Sequence, residues 1–262
     1  MKRFYKIRSA SYEFYATIEE LPQEHRVKFG GERQCINISV YLDDNVPNIN
    51  GISYDSGCSI GNDLHPGVGT VEMVKSALLF VKELYPEKKA FMFKDHSKIK
   101  CKNRVEVPLY FFYIAKHGKT WYEDKFGARP YTKEERGAIK ELVDFLKESP
   151  MISIEEFDNT YVKKSGCQLR NFSDHFREVY DTSSSYIEFL KHVIETNDCG
   201  VLMNWFQYFM YKHCAFNFGE AFWIVKTKSS WGPITYEAID KKPRFKTIHE
   251  GGFYPYGSSA VI

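Results

Sequence analysis

Alternating and three-to-four-residue hydrophobic spacings divide the chain into elements. Residues 3–7 predict a first strand, and the run Ile36-Asn-Ile-Ser-Val-Tyr-Leu42, which alternates and is rich in β-branched side chains, predicts another. Residues 12–21 predict a short helix closed by Pro22. Residues 43–51 form a cluster of turn formers, and 52–60 predict a further strand, weakened at Gly57. After a loop at 61–69, Val71, Val74, Leu78, Val81 and Tyr85 recur every three or four residues. With Ala77 and Leu84 they predict an amphipathic helix that Pro86 stops. Residues 90–93 predict a short buried strand. Strand, loop, helix and strand over 52–93 make a crossover unit, which places its two strands side by side and parallel.

Further on, 98–106 reads as a charged linker and 107–117 as an aromatic helix broken by Gly118. Ile139, Leu142, Val143 and Leu146 mark one face of a helix over 133–148. Residues 186–194 and 201–211 predict further helices, 222–225 a strand, and the chain from 241 on an irregular tail. The composition shifts near residue 130. The reading is an α/β fold over 1–130, a mixed and mostly antiparallel sheet flanked by helices, followed by a mostly helical, aromatic-rich extension over 131–262.

Composition narrows the function classes. Hydrophobic residues are 43% of the 262, enough for a sizeable core, which excludes wholesale disorder. The 36 Lys and Arg nearly balance 34 Asp and Glu, so a dedicated nucleic-acid binder is not expected. Cysteines stand at 35, 58, 101, 167, 199 and 214 with no CxxC, and no apolar targeting stretch follows the basic start. That pattern predicts free thiols in a reducing, cytoplasmic setting. The apolar run 200–218 carries Asn204, Gln207, Lys212 and His213, so it predicts a buried helix rather than a membrane span. His175, His213 and Cys214 lack ligand spacing, so no metal site is expected. Lys241-Lys-Pro-Arg-Phe-Lys246 reads as a solvated basic tail. Nine aromatic residues between Trp205 and Trp223 predict either a small helical core or a surface for a protein partner.

The chemistry-bearing segment is Pro66-Gly-Val-Gly-Thr70, between a predicted strand and a predicted helix. Glycines let the backbone approach a ligand, and the first helical turn leaves amides unpaired. Those donors and the positive end of the helix dipole suit a phosphate or pyrophosphate. An ordinary tight loop with Thr70 as the helix cap fits the same residues. No Gly-Lys-Ser/Thr is present, so the loop is not a P-loop, and the three-glycine dinucleotide fingerprint is incomplete.

A second phrase, Trp121-Tyr-Glu-Asp-Lys-Phe-Gly127, follows the next strand and helix. Together the two segments resemble the GCN5-related N-acetyltransferase superfamily, and Gly118-Lys-Thr-Trp-Tyr-Glu123 has the look of members encoded by large DNA viruses. In that family a loop of the form Arg/Gln-x-x-Gly-x-Gly/Ala holds the pyrophosphate of acetyl-coenzyme A, and a phrase like Phe-Tyr-Glu-Lys-Leu-Gly-Phe ends a later helix. The specific matches lie within 60–93 and 119–128. The resemblance implies a pyrophosphate on the amides of Gly67, Val68, Gly69 and Thr70, and a pantetheine arm beside Cys58, Ser59 and Ile60. It also implies Tyr122 as proton donor to the departing thiolate. The implied reaction is direct attack of an amine on the thioester, with no covalent enzyme intermediate.

Tyr122 also reads as a core aromatic. Asp55, His65 and Asp95 are the candidate general bases, chosen only for their places near strand ends. Cys58 reads as a small core residue rather than a nucleophile. Three features depart from the family. Leu64 stands where Arg or Gln is usual, Pro66 removes a loop amide, and the segment between residues 93 and 122 is long and aromatic. The first two weaken cofactor binding and the third reshapes or covers the acceptor site. Leu64, Pro66 and the lack of a readable general base favour the alternative of an inactive fold that serves in assembly.

Overall fold

The structure is a computed structural model. It describes residues 1–9, 11–43, 45–61, 63–65, 67–100, 106–165, 174–196, 199–214, 218–241, 243 and 245. Pro66, Cys101, Cys167, His175 as a side chain, Phe216 and most of the basic cluster at 241–246 lie outside what is described. The strands in chain order are β1 (Lys2–Ser9), β2 (Tyr12–Glu20), β3 (Glu24–Gly30), β4 (Gln34–Tyr41), β5 (Asn48–Ile52), β6 (Ala90–Lys94), β7 (Lys98–Lys100), β8 (Glu106–Pro108), β9 (Arg129–Pro130), β10 (Phe222–Lys226) and β11 (Ile234–Ile239). Nine of them form one mixed, mostly antiparallel sheet in the order β11-β1-β2-β3-β4-β5-β6-β10-β9. The chain makes two units. One comprises residues 1–96, 125–129 and the described residues from 222 on. The other comprises 97–124 and 130–221.

The first unit is the sheet with one long helix, α1 (Val68–Leu84). Register makes one face apolar from strand to strand. Ile18 lies opposite Val27, Val27 opposite Ile38, Ile38 opposite Ile49, Ile49 opposite Phe93, and Phe93 opposite Trp223. All six are buried. Residues one step along point to the other face, as strand geometry requires. There Lys2 pairs with Glu19, and Lys6 and Arg8 both pair with Glu13, each at 2.8 Å. Helix α1 buries Met73, Val74, Ala77, Leu78, Phe80 and Val81. The ring of Phe80 meets Tyr5 at 5.2 Å and Tyr236 of β11 at 5.4 Å. The helix stops at Leu84, where the Tyr85 amide donates to the Val81 carbonyl just before Pro86.

The crossover is present as a parallel pair, β5 and β6, joined through α1. Two expectations need correction. Residues 12–21 form strand β2, not a helix. Phe14, Ala16 and Ile18 alternate inward, and eight register pairs with β1 outweigh local helical propensity. The strand expected at 52–60 lies earlier, at 48–52. Beyond it, Asp55 caps a single 3₁₀ turn at Ser56–Cys58 by accepting from the Gly57 amide, which ends extended structure. Strands β3 and β11 carry no prediction above. With β1 feeding directly into β2, no helix separates the first two strands.

The thiol expectation also fails in part. Cys35 of β4 and Cys58 of the 3₁₀ turn form a disulfide with Cα atoms 5.7 Å apart. The expectation of free thiols therefore fails for these two of the six cysteines.

The second unit is mainly helical. Its strands β7 and β8 pair antiparallel. Its helices are α2 (Leu109–His117), α3 (Trp121–Phe126, of which the first four residues belong here), α4 (Lys133–Glu148), α5 (Ile154–Phe157), α6 (Asp174–Thr182), α7 (Tyr186–Thr196) and α8 (Cys199–His213). Gly118 ends α2 at φ +67°, and Thr132 and Glu135 cap α4 reciprocally. The predicted face of α4 is buried as read. Aromatic residues make this core. Phe157 has ring neighbours in Tyr161 at 4.9 Å, Tyr180 at 5.0 Å, Trp205 at 5.6 Å and Phe209 at 5.6 Å. Trp205, Phe206, Phe209 and Phe218 are therefore core residues, while Tyr211 and Phe222 stay partly exposed. No described helix is long and apolar enough to cross a membrane.

His213, at the end of α8, accepts from or donates to the Tyr161 hydroxyl at 2.7 Å and stacks on Phe145 at 3.8 Å. Burial, and secondarily the charge of Lys212, lowers its pKa to about 4. The unfolded chain binds that proton near pH 6.5, so the folded state loses stability as pH falls from 6.5 towards 4. The melting temperature of the wild type should fall by several degrees between pH 7 and pH 5. His213→Gln, which keeps a partner for Tyr161 but does not titrate, should show a flatter profile over the same range.

Candidate functional site

The site begins where β5 ends. In the parallel pair only Asn48 with Met92 and Ile49 with Phe93 are in register. The rest of β5 pairs with β4 alone, through Gly51 with Asn37 and Ile52 with Ile36. The β5–β6 ladder thus closes after two rungs. Helix α1 starts after the segment 53–67, against β1 and β2: Tyr12 lies beside Gly69, and the Ser9 hydroxyl donates to Glu72.

The cap of α1 is Gly67, not Thr70. Gly67 has φ +75° and ψ −87°, and no side chain caps the helix there. A Cβ at Gly67 would meet nothing within 4 Å, so glycine is required by backbone conformation rather than by space. Val68, the first helical residue, is 79% exposed. Gly69 is different. It is buried, and a Cβ there would come within 3.0 Å of the Leu64 and Tyr12 side chains. Its amide already donates to the His65 carbonyl at 3.0 Å, so it is not available as an anion donor. Thr70 is buried, and its hydroxyl oxygen has no hydrogen-bond partner. Leu64 is a core residue under the loop, and the Tyr54 hydroxyl donates to its carbonyl at 2.8 Å.

Cys58, Ser59 and Ile60 are not part of a strand. Cys58 is fixed by its disulfide, and the Ile60 amide donates to the Glu13 carbonyl at 2.8 Å. The backbone donors expected along a pantetheine arm are thus partly committed within the fold. Ser59 instead lines a polar cleft of about 300 Å³ with Glu32, Arg33, Asp55, Gly57 and Asp63. Arg33 and Asp55 pair there at 2.6 Å. Nothing in the sequence marked Arg33, because it contributes through a hairpin end 22 residues before Asp55.

Tyr122 lies in the second unit, on α3, buried and edge-on to Trp121 at 4.9 Å. The loop at 67–70 and the segment at 58–60 lie in the first. The structure therefore brings the loop and the 58–60 segment into one unit and leaves Tyr122 outside it. Among the candidate bases, Asp55 is committed to Arg33, Asp95 is buried, and His65 is exposed and lends its carbonyl to the loop. Among the described residues no group of three His, Cys, Asp or Glu is arranged to hold a metal ion.

No family model, no curated protein and no solved structure matches this chain.

Gly67 should respond to substitution differently from Gly51 of β5. Gly67→Ala is expected to cost about 1–3 kcal/mol because the backbone there is one that L residues rarely adopt. Gly51→Ala, where a Cβ is equally unobstructed, should change stability by less than about 1 kcal/mol. Urea denaturation of both variants measures the difference.

Proposed function

We propose that the protein binds acetyl-coenzyme A at the start of α1 and transfers its acetyl group to an amine. The observation that carries this reading is the uncapped start of α1, with Gly67 at φ +75° and the first helical residue, Val68, exposed. A helix N-terminus without a side-chain cap offers amide donors and a positive dipole end to an anion. Here Val68 and Thr70 supply that turn, and the orphaned Thr70 hydroxyl fits the chemistry of a phosphate oxygen. Opened strands would take the pantetheine arm between them.

In the reaction the amine nitrogen attacks the thioester carbonyl, a C–N bond forms and the C–S bond breaks. The departing thiolate then takes up a proton. The resemblance gives that last step to Tyr122. The acceptor is an amine of unspecified source. A second reading, an inactive fold used in assembly, is favoured by Leu64 in the core position under the loop and by the committed amide of Gly69.

Calorimetric titration with acetyl-coenzyme A separates the two. The wild type should bind saturably. Val68→Glu places a carboxylate on an exposed first-turn position, where it repels pyrophosphate yet complements the helix dipole. It should weaken binding at least tenfold without lowering the melting temperature. Absence of binding by the wild type at millimolar ligand would rule out the enzyme.

A further inference from the structure

The segment 53–67 links β5 to α1 and has one 3₁₀ turn as its regular structure among the described residues. Residues 53–58 dock on one short stretch, Arg33 to Cys35, by four ties besides the Ser53 hydroxyl, which donates to the Cys35 carbonyl at 3.3 Å. The Ser53 amide donates to the Cys35 carbonyl at 2.7 Å, and the Arg33 amide donates to the Gly57 carbonyl at 2.9 Å. The Arg33 guanidinium pairs with Asp55 at 2.6 Å, with both side chains half-buried. The fourth tie is the Cys35–Cys58 bond. A half-buried ion pair of this kind and a few hydrogen bonds in a loop each contribute modestly. The covalent bond is thus the dominant restraint on this dock.

From the dock a chain of contacts runs to the helix start. The Leu64 amide donates to the Ser56 carbonyl at 3.2 Å, and the Tyr54 hydroxyl donates to the Leu64 carbonyl. The Leu64 side chain then sits against Gly69, on the first turn of α1. Gly57 and Ser59, on either side of Cys58, line the polar cleft, while Cys35 and Cys58 themselves are buried.

We propose that the Cys35–Cys58 bond is a redox latch on the segment leading into α1. A dithiol reductant opens it. A thiolate attacks one sulfur to form a mixed disulfide and releases the other cysteine. The second reductant thiol then closes on the first, leaving two cysteine thiols and an oxidised reductant, a transfer of two electrons and two protons. With the latch open, 53–65 undocks as a local unit while the sheet persists. Regulation of acetyl-coenzyme A binding by the latch rests on the function proposed above. The latch itself does not.

Hydrogen–deuterium exchange of the full chain tests it in three forms: oxidised, reduced with dithiothreitol, and Cys35→Ser/Cys58→Ser. Alkylation with iodoacetamide and peptide mapping verify the state of both cysteines. In the reduced and doubly substituted forms, amides within 53–65 should exchange at least tenfold faster, with β1 to β3 unchanged, and reoxidation should restore protection in the first. Unchanged exchange at 53–65 with both thiols alkylated would overturn the latch. So would loss of protection throughout the chain, which would make the bond a staple for folding, or alkylation of both cysteines without reductant. Titrating each form with acetyl-coenzyme A separates the two ideas. Binding to neither form, with the exchange difference intact, defeats the enzyme and leaves the latch.

Discussion

The parallel pairing of β5 with β6 is the constraint on which the first unit depends. Two neighbouring strands that run the same way cannot be joined by a tight turn, and the chain must return along one face of the sheet. Here the return is α1, and its buried stripe from Met73 to Val81 is what holds it there. Phe80 alone meets rings from β1 and β11, so the helix ties the sheet's far edge to its interior. The segment 53–67 carries the chain from the end of β5 to the helix start, where Tyr12 of β2 lies against Gly69 and Ser9 of β1 donates to Glu72. The candidate site, the uncapped first turn of α1, stands there.

Side chains then set what that turn can do. Gly67 turns the backbone through a region closed to other residues, which brings the chain into α1 without a capping side chain. Leu64 and Tyr12 close on Gly69 from below, and the Gly69 amide is spent on His65. What remains for a ligand is the exposed end at Val68 and the buried hydroxyl of Thr70. The site is thus narrower than a loop of four consecutive donors, and its supporting layer is held by the dock of 53–58 on 33–35.

The helix α1, strand β6 and their parallel relation to the preceding strand were legible in the sequence because each rests on local periodicity and a proline or glycine stop. Strand β2 was not. Phe14, Ala16 and Ile18 fit a period of two, but glutamates and alanine around them also suit a helix, and pairing with β1 decides between them. The disulfide was illegible for a similar reason. Cys35 and Cys58 are 23 residues apart with no motif spacing, and only the fold makes them neighbours. The aromatic wealth after residue 200 was legible as a core but not in its division. Phe157, far upstream, stands at the centre of the second unit, while Phe222 and Trp223 return to the sheet of the first. Tyr122 matched a phrase, and a phrase carries no information about which unit its side chain enters.

The central claim is that the first turn of α1 is an anion site for a nucleotide carrier. The most direct measurement is a ¹⁵N-resolved magnetic resonance titration with coenzyme A. The account predicts that the amide signals of Val68 and Thr70 move first and furthest, with smaller changes along 48–52 and 90–94. Saturable shifts confined to other segments, or none at millimolar coenzyme A, would contradict it.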